Sequence, residues 1–171
     1  MKDPCSSESL VFFLIWFNIN FFFSLIFYIL FAIYYFMDCL FCKIVSGELP
    51  SSKVYEDKDL LAFLDIKPVN PGHVLIIPKK HFKNIHDTPD EIMAKLIIAA
   101  KKIAAVIQDK LGVTGVNVGM NNGSAAGQLV FHTHIHIMPR YGKDSFKLWS
   151  GKEYAEGERE KVAEKIKSAL E

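Results

Sequence analysis

Cysteine is scarce in this chain of 171 residues: only Cys5, Cys39 and Cys42 occur. That excludes a disulfide framework, and a chain of this length can bury a core without one. Net charge is just as thin. Twenty Lys and Arg against nineteen Asp and Glu leave +1, so no strong basic field exists to hold a long nucleic acid, and an anionic partner is expected to be small. Internal repeats are missing, as are low-complexity segments beyond the N-terminus, which argues for one domain rather than an array.

Charge is absent altogether from Leu10 to Phe36, an apolar run rich in Phe, Ile, Leu and Tyr and interrupted mainly by Asn18, Asn20 and Ser24. Such a run is long enough to cross a bilayer. A secretory signal fits poorly, because the run lacks a basic flank beyond Lys2 and a small-residue cleavage pattern. Two readings remain. As a membrane anchor, with Lys43 and Lys53 behind it, the run would leave the main domain facing the cytoplasm. As translated upstream sequence, it would end before a true start at Met37, a reading favoured by its bias toward residues with AT-rich codons. The expected organisation is an extension over 1–36 and a cytoplasmic domain over 37–171.

Past Met37 the pattern is globular. Cys39 to Ser46 reads as a short helical turn closed by Gly47, and Val54–Glu56 and Leu60–Asp65 read as strands around a polar turn. A rigid Lys67–Gly72 loop leads into a β-branched strand, His73–Pro78. Thr88 is expected to cap a long helix, with Pro89 at its first position and Glu91 completing a capping box. Ile92, Leu96, Ala100, Ile103, Ile107 and Leu111 follow at helical spacing, and Gly112 stops the helix. Gly115–Asn121 is the next expected strand, followed by the small-residue loop 122–128. Tyr154–Leu170 reads as a charged helix with Val162, Ile166 and Leu170 along one side. Its aromatic neighbours Trp149 and Tyr154 are expected to pack that helix onto the domain. Strands, one long helix, then strands again point to an α+β domain with an antiparallel sheet.

Half of the six histidines stand at alternate positions in Phe131-His132-Thr133-His134-Ile135-His136-Ile137. On a strand, His132, His134 and His136 would project from one face while Thr133, Ile135 and Ile137 meet the core. A bland surface cluster suits this apolar context poorly, and three imidazoles on one strand seldom converge on one ion. Phosphate chemistry suits it better: one imidazole attacks phosphorus while neighbours bind oxygens or deliver a proton. The small-residue loop just upstream lets backbone N–H groups approach a phosphate. The Cys39-x-x-Cys42 pair has three readings: a redox pair out of its usual context, small core residues, or half of a zinc site that needs two more ligands.

The segment Gly127-Gln128-Leu129-Val130-Phe131-His132-Thr133-His134-Ile135-His136-Ile137-Met138-Pro139-Arg140 resembles the signature of the histidine triad (HIT) nucleotide-binding family. Cys39-Leu40-Phe41-Cys42-Lys43-Ile44-Val45, Phe63-Leu64-Asp65-Ile66-Lys67-Pro68 and Pro71-Gly72-His73-Val74-Leu75-Ile76-Ile77-Pro78-Lys79-Lys80-His81 match it in the same order, most closely its bacterial HINT-like branch. The resemblance implies a HIT fold: a five-stranded antiparallel sheet, one long helix and a C-terminal helix. It implies hydrolysis at the α-phosphate of purine nucleoside phosphoramidates or related nucleotidyl esters and anhydrides. His134 would form a nucleotidyl-histidine intermediate, with His136 and His73 around the phosphate. A non-catalytic nucleotide sensor and a nucleotidyltransferase are the alternatives. Asp65 would bind the ribose, Phe63 and Ile66 would border the base, and Asn121, Gly127 and Gln128 would line the phosphate pocket. Relatives with the Cys pair imply a structural zinc on Cys39, Cys42, His81 and His132, and a homodimer is expected. Leu129 stands where many relatives carry Ser or Thr, which puts one phosphate contact in doubt, and Thr133 replaces a usually apolar residue.

Overall fold

The computed structural model describes residues 39–142, 144–147 and 149–170. The apolar run at 10–36, with the anchor and upstream-sequence readings attached to it, lies outside them. Among the described residues nine elements follow in order: α1 (Leu40–Ser46), β1 (Lys53–Glu56), β2 (Leu60–Leu64), β3 (Val74–Pro78), α2 (Asp90–Leu111), β4 (Gly115–Gly119), a 3-10 turn (Ser124–Ala126), β5 (Ile135–Arg140) and α3 (Glu158–Leu170). The strands form one sheet in the order β1-β2-β3-β5-β4, every neighbouring pair antiparallel. This is the expected α+β arrangement. Among the described residues, no helix is long and apolar enough to cross a membrane.

Alternation along the strands divides the core in two. Leu60, Ala62, Val74, Ile76, Ile135 and Ile137 pack with Leu96, Ala99, Ala100 and Ile107 of α2 on one face. Leu61, Phe63, Leu75 and Ile77 point the other way and meet Phe41 and Ile44 of α1. Strands buried on both faces read as continuous apolar runs, as β2 and β3 do. Gly47 and Gly112 close α1 and α2 in the left-handed conformation, one that glycine adopts without steric cost. Gly72 sits at φ +87°, which would strain any other residue, and a Cβ there would also have to displace the end of the Leu111 side chain.

Several expectations need correction. Thr88 does not cap α2: Pro89 is the capping residue and no side chain bonds the first turn. The Thr88 hydroxyl instead donates to the Asn84 carbonyl and shares a 2.7 Å hydrogen bond with Thr133, so it ties the helix entry to the triad segment. β2 and β4 stop at Leu64 and Gly119, short of Asp65 and Asn121. The triad strand begins only at Ile135. Before it, the Thr133 N–H leaves the ladder and donates to the Phe82 carbonyl. Cys39 stands before the first turn of α1, and α3 starts at Glu158, not Tyr154. Nor does α3 pack on the domain, since none of its residues is buried and Trp149 and Tyr154 are exposed.

Candidate active site and metal centre

The carboxyl end of β2, the amino end of β3 and the amino half of β5, where Ile137 pairs with Val74, meet at one place on the α1 face of the sheet. Leu75 of β3 pairs with His136 of β5, which sets His73, two residues earlier on the same face, beside it. Their rings stand 5.1 Å apart, and His73 Nε2 lies 3.0 Å from His136 Nδ1. Two neutral imidazoles at that distance share one proton. Asp65 Oδ2 is 3.5 Å from His73 Nδ1, while Asp65 Oδ1 accepts the Lys67 N–H.

His134 precedes β5 by one residue and is buried. Its Nδ1–H donates to the His132 carbonyl at 2.6 Å. That bond fixes the tautomer and leaves Nε2 with a free lone pair. The His136 ring lies 4.9 Å away. Burial lowers the proton affinity of all three: His134 and His73 fall below the ordinary histidine value. His136, with His134 and His73 adding their repulsion to its burial, falls to about 4. The trio is therefore neutral near pH 7, and one member is oriented as a nucleophile.

The remaining expected site residues are spread around this trio. Phe63 is buried beneath Phe41, their rings edge-to-face at 5.7 Å, while Ile66 is almost fully exposed. Asn121 and Gly127 face each other across the loop, where the Asn121 amide donates to the Gly127 carbonyl at 3.4 Å. Gly127 is left-handed at φ +84°. Gln128 is turned inward: its carbonyl oxygen accepts the Gly123 N–H, and its amide donates to the Lys83 and Val130 carbonyls. Leu129 next to it is 90% exposed.

On the other side of His132 a second cluster forms. Cys39, Cys42, His81 and His132 bring one ligand atom each within 4.8 Å of all the others. Cys39 Sγ lies 3.5 Å from His132 Nδ1, and Cys42 Sγ lies 3.3 Å from His81 Nδ1 and 3.6 Å from His132 Nδ1. Tetrahedral zinc, with bonds of about 2.3 Å to sulfur and about 2.0 Å to nitrogen, sets sulfur and nitrogen roughly 3.6 Å apart. His132 donates its Nε2–H to the Pro78 carbonyl at 2.9 Å, which points the unprotonated Nδ1 at the cysteines as a ligating imidazole requires. Burial, reinforced by Cys39, pushes the Cys42 thiol up to about 12. The donor set, the spacing and the oriented tautomer all fit zinc.

Sequence reading passed over Phe41. Its signal was its place inside the Cys39-x-x-Cys42 spacing, which puts it on the buried side of the same helical turn.

A sequence profile described as the HIT domain matches residues 46–143. The protein named hit from Bacillus subtilis is 52% identical over 106 residues, covering 62% of this chain and 73% of that one. Adenylylsulfatase HINT3 from Arabidopsis thaliana is 45% identical over 113 residues, covering 66% of this chain and 56% of its own length. Among solved structures, a zinc-bound histidine triad family protein from Mycobacterium smegmatis superposes with a TM-score of 0.63 at 38% identity, covering 78% of this chain and 98% of that one.

Proposed function

The chain belongs to the HIT domain family, and from that membership we propose that it is a nucleotide-binding hydrolase that cleaves purine nucleoside phosphoramidates or related nucleotidyl esters and anhydrides at the α-phosphate. One observation carries the reading: a buried imidazole tied at Nδ1 to a carbonyl stands beside a pair of imidazoles sharing a proton. The name of the Arabidopsis relative, an adenylylsulfatase, agrees with chemistry at an adenylyl phosphate.

In this reading His134 Nε2 attacks the α-phosphorus, the bond from phosphorus to the leaving group breaks, and a nucleotidyl-His134 forms. With the anionic phosphate bound beside it, the His73–His136 pair takes up a proton from solvent and passes it to the departing group. Water then attacks the intermediate, gives its proton back to the pair and frees His134. Dividing one displacement into two is the gain from covalent catalysis. Asp65 binds the ribose hydroxyls, Ile66 borders the base, and Phe63, covered by Phe41, forms only the floor of that pocket. Asn121 and the Gly127 backbone face the phosphate, while Gln128, engaged with Gly123, Lys83 and Val130, holds the loop in shape.

Zinc would be held by Cys39, Cys42, His81 and His132, as a cross-link between α1 and the triad segment. The reading places the domain in the cytoplasm, where Cys39 and Cys42 stay reduced, and the activity in residues 37–171.

The test is turnover of adenosine and guanosine phosphoramidates by the full chain, by a chain starting at Met37, and by His134→Asn. Wild type should turn over, the shorter chain should match it, and His134→Asn should bind nucleotide but lose activity by about a thousandfold or more. Undiminished activity in His134→Asn would sink the nucleophile assignment. An inactive but folded Met37 chain would sink the domain boundary.

A further inference from the structure

Hydrogen bonding of the sheet does not reach His134. The ladder between β3 and β5 ends at Ile76 and Ile135, so the imidazole must be held from outside it. Its supports are the 2.6 Å bond to the His132 carbonyl, the His136 ring at 4.9 Å, and Phe41. Phe41 is 4% exposed and stands edge-on to three rings at once: Phe63 at 5.7 Å, His132 at 5.9 Å and His134 at 5.2 Å. Its plane makes 80° with that of His134, the edge-to-face arrangement that aromatic pairs favour.

This contact has a chemical consequence. Turning the imidazole over would put Cδ2 where Nδ1 stands and Cε1 where Nε2 stands, losing the bond to His132 and moving the Nε2 lone pair off its line. A phenyl ring packed against it resists that rotation. Phenyl also offers no proton acceptor to compete for Nδ1–H and no donor to occupy the Nε2 lone pair. A donor or acceptor set directly against either nitrogen would do one or the other.

We propose that Phe41 is the positioning residue for His134, holding its ring so that Nε2 faces the phosphorus. The proposal rests on the reading of His134 as nucleophile, but it has a signature that needs no substrate. Nitrogen-15 NMR of the imidazoles, in the full chain without ligand, reports the His134 tautomer. Wild type should show Nδ1–H alone. In Phe41→Leu the tautomers should mix. With an adenosine phosphoramidate, kcat should then fall about ten- to a hundredfold, the scale of a small misplacement of a reacting group, and KM should hardly change. Phe41→Tyr, which keeps the ring, should recover the single tautomer and most of kcat.

A Phe41→Leu protein with one tautomer and wild-type kcat overturns the proposal, and so does failure of Phe41→Tyr to rescue either readout. If Phe41→Leu does not fold, Phe41→Met takes its place, and if neither folds Phe41 is a packing residue and the proposal falls. Wild type that never turns over, while the tautomers still mix in Phe41→Leu, refutes the hydrolase reading and leaves the positioning intact.

Discussion

His136 shows how burial and function act on one side chain. Removed from water and faced by two other imidazoles, it keeps a pKa of about 4 against an ordinary 6.5. Between those values the unfolded chain holds a proton that the folded chain refuses, so the unfolded state binds more protons and stability rises with pH through this window. The contribution is complete above about 6.5 and lost as pH falls toward about 4. The denaturant midpoint is therefore expected to be lower at pH 5 than at pH 7, with a shallower decline in His136→Asn. An identical decline in the variant would place the titration elsewhere. The same shift leaves His136 neutral at pH 7, able to take up or hand on the proton it shares with His73.

At the scale of elements, α1 has seven residues, too few to be stable by itself in water. It is held by Phe41 and Ile44 in the core, and the two cysteines at its amino end lie beside His81 and His132. If zinc links those cysteines to His81 and His132, its loss should loosen α1 and the triad segment together, because metal binding and folding are coupled. About one zinc per chain is expected, lost in Cys39→Ser or Cys42→Ser. A loss of about 3 kcal/mol would lower Tm by roughly 6–12 °C in a chain of this size. Metal analysis of protein purified without chelators, together with the melting curves, checks both halves. Metal-free protein with an unchanged Tm would remove zinc from the account.

Local pattern carried most of these elements, and it failed where distant partners intervene. The spacing Ile92–Leu96–Ala100–Ile103–Ile107 identifies α2, and the run Val74–Pro78 identifies β3, because each is written within its own segment. Thr88 carries a cap signature, yet Thr133, far along the chain, competes for its hydroxyl. His-x-His-x-His reads as a strand throughout, but the chain at His132 and Thr133 turns aside to meet Pro78 and Phe82. Alternation still predicts that Ile135 and Ile137 reach the α2 core. The unequal duties proposed for the three histidines rest on resemblance, and Phe41 is marked only by its place between Cys39 and Cys42, since nothing in an apolar residue of a short helix announces which rings it will touch.

Among the described residues the sheet ends at one side on β4, which pairs there only with β5 and has no strand on its outer edge. An open edge invites another strand unless something covers it. On α2, the helix that packs against this part of the sheet, Ile97, Ile98 and Val106 are each more than half exposed. Apolar surface next to an unpaired strand suits a second copy of the chain, because a twofold axis can join edge to edge and helix to helix. A stable pair would need to bury about 1,200–2,000 Å² in all, a span that a strand edge and a 22-residue helix together can offer. Sedimentation is thus expected to give twice the 19.4 kDa chain mass. Ile98→Glu and Val106→Glu together should shift it toward a single copy, since each buries a charge in that contact. Wild type sedimenting as one chain at micromolar concentration would rule the pairing out, and with it any need for the active site to be shaped across an interface.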